Sequence, residues 1–246
     1  MADSQTSIQR WSDDQTAVGT VLKSASPVVA EALGYTPIDF LFVDRQHGAP
    51  ISDELESVLR AADLNGIPIM LRVPTDDLSM VTWSLDLGAK AIMLPQIESP
   101  THVEEALKHV HYRKGRSLST SSRAADFGYQ DREEYIDFVD EELTLLPQIE
   151  SVTGVECLEE ILTFDEITDI AIGPGDLAFT MGVSYGSDEH RAMIERIFEI
   201  AHGHDCRVGT FVGSKSDLDR YAERASFVVY SSDIDILTSN VERLLE

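Results

Sequence analysis

This 246-residue sequence predicts an α/β fold: a (β/α)8 TIM barrel with an extra C-terminal helix. Short apolar runs alternate with helical patterns of roughly 12 residues or more, as in parallel βα units. Eight such runs can be placed, and the length suits one barrel. No Pro/Gly/Ser-rich linker divides the chain, so 1–246 reads as a single barrel domain whose first residues, 1–16, are polar. An open doubly wound sheet is the alternative. It usually follows its first strand with a glycine-rich turn, whereas this chain has Lys23-Ser24-Ala25-Ser26-Pro27 there.

In chain order, strands are expected at 18–22, 39–44, 68–73, 91–96, 143–149, 169–173, 207–212 and 227–231. Glycine or proline precedes several of them. A helix over 52–64 follows from the spacing of Leu55, Val58, Leu59 and Ala62, with Ser52 or Asp53 as its cap. Similar patterns predict helices over 78–87, 102–110, 154–162, 192–202, 218–224 and 236–245. The fourth connection is long. Beyond the 102–110 helix a polar run continues to Gln130, and a loop of this length in a compact domain reads as an active-site loop.

Composition narrows the function classes. Asp and Glu number 44 against 19 Lys and Arg, a formal net charge of -25. Such a surface repels nucleic acid and anionic membrane. Residues 1–14 have no basic start and no apolar run, so no signal peptide is expected and the compartment reads as cytoplasmic. Cys157 and Cys206 show neither disulfide nor zinc spacing and read as small hydrophobes. The acid excess predicts a halophilic source, where salt screens self-repulsion.

Two near-identical hexamers end strands four and five: Leu94-Pro95-Gln96-Ile97-Glu98-Ser99 and Leu146-Pro147-Gln148-Ile149-Glu150-Ser151. Strand alternation sends Gln148 and Glu150 to one face and Ile149 to the other. The C-terminal ends of other strands add Asp44-Arg45-Gln46-His47-Gly48, Arg72-Val73-Pro74 and Gly173-Pro174-Gly175-Asp176. In a parallel barrel that rim carries the active site. Carboxylates without a His or Cys cluster suit Mg2+ or Mn2+, with Co2+ a further candidate, rather than zinc. Arginine suits a bidentate carboxylate clamp, and histidine can move a proton near neutrality. Together they suit a small-molecule 2-oxo acid. By chemistry alone Glu98 competes with Glu150 as a metal ligand.

The segments Asp44-x-x-His47-Gly48, Leu71-Arg72-Val73-Pro74, Leu85-Asp86-x-Gly88-Ala89, Pro147-Gln148-Ile149-Glu150 and Ile172-Gly173-Pro174-x-Asp176-Leu177 are joined by Met181-Gly182. In this order and spacing they resemble the HpcH/HpaI aldolase family of the phosphoenolpyruvate/pyruvate barrel superfamily. The likeness runs from about Val18 to Asp233. It implies a class II aldolase that cleaves 4-hydroxy-2-oxo acids to pyruvate and an aldehyde. It further implies that Glu150 and Asp176 bind the metal. Arg72 and Gln148 would hold the pyruvate part, and the Gly175 and Asp176 amides the substrate carboxylate. His47 would be the base, with Asp86 pairing with it, and the likeness favours Glu150 over Glu98. A homo-oligomer, commonly a hexamer exchanging C-terminal helices, is also implied. Gln46 stands where members usually carry glutamate, and Arg45 where a small residue is common.

Three rival functions follow. A Schiff-base aldolase needs a lysine at a strand's C-terminal end, and Lys90 starts strand four instead. An oxaloacetate decarboxylase or acyl-CoA lyase would use the same site, although a CoA thioester calls for a basic patch that this chain lacks. A non-catalytic metabolite-binding barrel would not need Glu150, Asp176 and Arg72, all of which are present. If the salt reading holds, the thermal midpoint rises on going from dilute buffer to molar KCl; a fall under the same change would refute it.

Overall fold

The computed structural model describes residues 16–48 and 52–245, the side chains of Ser52 and Asp53 excepted. The expected cap of the 52–64 helix at Ser52 or Asp53, and residues 49–50 after Gly48, therefore lie outside the described residues. The strands are β1 (Ala17–Val21), β2 (Phe40–Asp44), β3 (Ile69–Arg72), β4 (Ala91–Leu94), β5 (Thr144–Ile149), β6 (Asp169–Ile172), β7 (Arg207–Val212) and β8 (Phe227–Ser232). They pair in parallel, in sequence order, and β8 returns to β1 to close the barrel.

The first half of the helical layer is α1 (Pro27–Leu33), α2 (Ser52–Asp63), α3 (Ser79–Leu87), α4 (Pro100–Val110) and α5 (Arg132–Glu142). The second half is α6 (Val152–Glu156), α7 (Leu158–Ile161), α8 (Pro174–Met181), α9 (Asp188–Gly203), α10 (Lys215–Tyr221) and α11 (Asp233–Leu245). Side-chain oxygens start several of them: Ser99 on Thr101 N–H, Asp131 on Glu133 and Glu134 N–H, and Ser187 on His190 N–H. The helix expected over 154–162 breaks at Cys157, whose φ of -98° and ψ of 5° separate α6 from α7.

Two apolar layers result. Val43, Leu71, Ile92, Ile149 and Ile172 point outward to the helices. Phe40, Phe42, Met70, Met93, Leu146, Phe227 and Val229 fill the barrel. Filling works by pairing large with small across neighbouring strands: Gly19 beside Phe40, Ala91 beside Met70, Gly209 beside Phe227. Phe40 and Phe227 meet edge to face with centroids 5.9 Å apart. A Cβ on Gly209 would fall 2.0 Å from the Phe227 ring.

The long fourth connection differs from its expected role. It leaves α4 and enters β5, which places it at the rim where strands begin. Arg116, in that segment, donates to Asp86 at 2.6 Å and to the Val110 carbonyl at 3.2 Å. Arg123 donates to the Leu87 carbonyl at 2.7 Å and pairs with Asp63 at the end of α2. Two 3-10 turns, Tyr112–Lys114 and Arg123–Gly128, shape it before α5 begins. In this chain it braces the floor of the barrel and does not cover the active-site rim.

Gly209→Ala should lower unfolding free energy by about 2 kcal/mol, since overfilling a packed core forces rings off their rotamers. Urea unfolding read by fluorescence checks this, and an unchanged midpoint would contradict it.

Candidate active site

β2 and β3 end in opposite charges at the same level, because Asp44 pairs with Arg72 in register. The Arg72 guanidinium donates Nε–H to Asp44 Oδ1 at 3.0 Å and Nη2–H to Oδ2 at 2.5 Å, a bidentate pair. Its Nη1 donates to Gln148 Oε1 at 3.2 Å. The Phe42 and Phe211 rings sit beneath it, 5.8 and 5.9 Å from the guanidinium carbon, which adds cation–π attraction. Asp44 has a second task. Its Oδ1 accepts the backbone N–H of Gln46 at 2.9 Å and of His47 at 3.3 Å. One carboxylate thus fixes both the arginine and the turn that carries the histidine. Burial opposes its charge, but Arg72 and the two amides hold its carboxyl below the usual range.

Across the barrel, Gln148 and Glu150 point inward from the end of β5, 2% and 4% exposed. Gly173 ends β6 beside them. A Cβ there would fall 2.4 Å from Glu150 Oε2, 2.6 Å from Glu150 Cβ and 2.7 Å from Gln148 Nε2, so the carboxylate occupies space that any side chain at 173 would take. The Gln96 backbone N–H donates to Glu150 Oε1 at 2.8 Å, and Gln96 adopts φ of 54° as it does so. Glu150 Oε2 is buried and has no hydrogen-bond partner among the described residues. Burial, aided by the charge of nearby Asp176, pushes this carboxyl up to about 7, against the pull of the Gln96 amide and Arg72. An orphaned carboxylate oxygen facing a second carboxylate is costly unless a cation completes it. The donor set therefore fits a divalent ion of the Mg2+ type, which takes one or two carboxylates and fills its other positions with water and substrate. No group of three His, Cys, Asp or Glu suited to a metal occurs among the described residues.

Asp176 is in the first turn of α8, capped by Gly173 with Pro174 at the helix start. The Gly175 and Asp176 amides are thus at a helix N-terminus, which favours an anion. His190, on α9, braces this end: its Nε2 is 2.8 Å from the Pro174 carbonyl, and its Nδ1 accepts from Gly186 N–H at 3.0 Å. A cleft of about 410 Å³ is lined by Asp44, Arg72, Gln148, Gly175 and Asp176, together with Lys23 and Tyr185.

Of the expected residues, Arg72, Gln148, Glu150, Gly175 and Asp176 converge. His47 is exposed, on the turn held by Asp44 at the same rim. Glu98 is exposed at the approach to α4. Asp86 does not pair with His47 within this chain. It lies at the last turn of α3, which has descended to the opposite rim, and Arg116 engages it there. Sequence reasoning missed the roles of Asp44, Gly173 and the Gln96 amide, although Asp44 opens the first motif and Gly173 stands in Gly-Pro-x-Asp.

Comparison with known proteins assigns the family. The family model described as HpcH/HpaI aldolase/citrate lyase matches residues 18–234. The chain belongs to this family. It is an enzyme, a carbon–carbon lyase of the class II pyruvate-aldolase kind. A 5-keto-4-deoxy-D-glucarate aldolase of Escherichia coli O6:H1 is 30% identical, covering 94% of this chain and 92% of its own. One from Salmonella arizonae is 29% identical over the same shares. The crystal structure of a family protein from Burkholderia cenocepacia J2315 superposes with a TM-score of 0.89 at 27% identity, covering 96% of each chain.

The raised Glu150 carboxyl has a sign that can be tested without metal. Its folded value exceeds the unfolded 4.5, so the folded state holds the proton more tightly and stability falls as pH rises from about 4.5 through about 7. Metal-free Glu150→Gln should lack this decline and exceed the metal-free parent by about 3 kcal/mol at pH 8. Urea unfolding at pH 5 and pH 8 in chelator measures it; parallel profiles would contradict the assignment.

Proposed function

We propose that this enzyme uses a divalent metal, Mg2+ or Mn2+, held by Glu150 and Asp176, to cleave a 4-hydroxy-2-oxo acid to pyruvate and an aldehyde. The unpartnered, buried Glu150 Oε2 carries this reading. When bound, the ion supplies Lewis-acid polarisation of substrate oxygens. The chain's own residues do the rest. Arg72 spends three of its five N–H donors on Asp44 and Gln148, which leaves two for substrate oxygens. The Gln148 amide N–H groups have no acceptor among the described residues and serve the same oxygens. The Gly175 and Asp176 amides receive the carboxylate at the start of α8. His47 takes the C4 hydroxyl proton and, being exposed, can pass it to water. As the C3–C4 bond breaks, its electron pair moves toward C3 and the 2-oxo oxygen. That charge develops beside a guanidinium already fixed in place, so little reorganisation is needed. Protonation at C3 completes pyruvate.

Assembly and location belong to the same proposal. Along α11, Leu237, Val241, Leu244 and Leu245 are 63%, 48%, 80% and 83% exposed, an apolar stripe at helical spacing. It suits a homo-oligomer, with the hexamer that family resemblance implies. A pairing of Asp86 with a His47 side chain would have to cross from one copy to another. The strongly acidic surface argues against nucleic acid. Among the described residues no helix is long and apolar enough to cross a membrane, and we place the enzyme in the cytoplasm.

The test is pyruvate release from a panel including 5-keto-4-deoxy-D-glucarate and oxaloacetate, with Mg2+ or Mn2+ and with chelator. Hydroxy-oxo acid turnover should stop with chelator and fall at least roughly a hundredfold in His47→Asn. Turnover undiminished by chelator would overturn the metal assignment, and turnover of oxaloacetate alone would make the enzyme a decarboxylase.

A further inference from the structure

His111 ends α4 and opens the connection that braces the floor of the barrel. Its side chain is 6% exposed, and neither ring nitrogen has a hydrogen-bond partner among the described residues. Its main chain is more heavily engaged. The carbonyl accepts the N–H groups of Lys114 at 3.1 Å and Arg116 at 3.2 Å. This closes a tight turn, from which the Arg116 guanidinium reaches Asp86 and the Val110 carbonyl.

Asp140, on α5, holds the same turn from the other side. Its Oδ1 accepts the Tyr112 N–H at 2.7 Å. Its Oδ2 accepts the Arg113 N–H at 3.1 Å and Arg113 Nη1–H at 3.3 Å. His111 Nδ1 lies 3.9 Å from Asp140 Oδ1, too far for a hydrogen bond. The charged groups that face the imidazole are Asp140, Glu166 from the segment ahead of β6, and Lys114 and Arg116 from the brace. Glu166 is paired with Lys114, Asp140 with Arg113, and Arg116 with Asp86. Each acid that could receive an imidazolium is thus already engaged, and the surroundings suit a neutral ring. Burial outweighs the two acids and holds the histidine below its ordinary 6.5.

A proton on the ring changes the balance. A buried imidazolium needs an acceptor, and Asp140 is the nearest. Closing that gap to hydrogen-bond length draws the carboxylate off the Tyr112 and Arg113 amides.

We propose that His111 is a pH-sensitive latch on the floor of the barrel: neutral, it leaves the 112–116 turn closed on Asp140, and protonated, it opens the turn that aims Arg116 at Asp86. The latch works whatever reaction the mouth performs.

Because the opened turn binds the proton more readily, its protection is complete above about pH 6.5 and is lost as pH falls below that value. Hydrogen exchange of the whole enzyme at pH 7.5 and pH 5.5 tests this, read as protection factors of the Tyr112, Arg113, Lys114 and Arg116 amides. In the parent these should fall roughly tenfold, one pH unit of displaced titration being a factor of ten, while amides of β5 hold. The fall should be absent from His111→Phe and His111→Gln, which take no proton. Parent protection that stays level, or an equal fall in the variants, overturns the proposal. If neither variant folds, proton NMR of the parent decides: the His111 ring should titrate below 6.5, and titration at or above that value overturns the latch.

Discussion

The site depends on one buried ion pair, Asp44 with Arg72. Arginine at the mouth of a barrel would be a poor catalyst if it were free to turn, because its entropy and desolvation would both oppose a fixed pose. Asp44 removes that freedom with two hydrogen bonds, Gln148 adds a third, and two aromatic rings close the space below. The same carboxylate accepts the amides of the turn that carries His47. The arginine and the turn that carries the histidine are therefore set by one side chain. Breaking a buried pair from one side costs about 3–5 kcal/mol, because the remaining charge is left uncompensated.

The opposite wall follows another logic. Glu150 is held by one amide, and its other oxygen is short of partners among the described residues, the condition on which the proposed metal site rests. The wall is built from absences of bulk: Gly173 yields its Cβ space to the carboxylate, and Gln96 takes a left-handed backbone to aim its N–H. A clamp satisfied in advance thus faces a carboxylate oxygen with no partner among the described residues. The proposed chemistry on a 2-oxo acid would use both, the first to orient the substrate and the second to retain the ion.

The barrel was legible in the sequence because its short apolar runs, spaced by helical patterns, became strands such as β2, β3, β4 and β6, which are buried almost throughout. The convergence of Arg72, Gln148, Glu150 and Asp176 was legible for the same reason, since each sits at a strand's end or in the helix turn just after it. The two hexamers show where local reading stops. Gln148 continues β5 into the interior, whereas Gln96, with the same neighbours, leaves β4 early, turns left-handed and faces solvent. Barrel closure decides between them, and a six-residue window does not contain it. The rim on which Asp86 and the 112–130 connection lie was not legible for a related reason. Spacing along the chain says that a residue is near a helix end, but which rim that end occupies depends on the direction of the helix.

The aromatic floor has a kinetic consequence. Phe40, Met70 and Phe227 plug the barrel below Arg72 and Gln148, so the cleft has a single opening. On the proposed function, the pyruvate portion would lie deep and the aldehyde portion toward the mouth. A vessel with one entrance would then impose an order of traffic: the keto acid in first, the aldehyde second, and departure in reverse after cleavage.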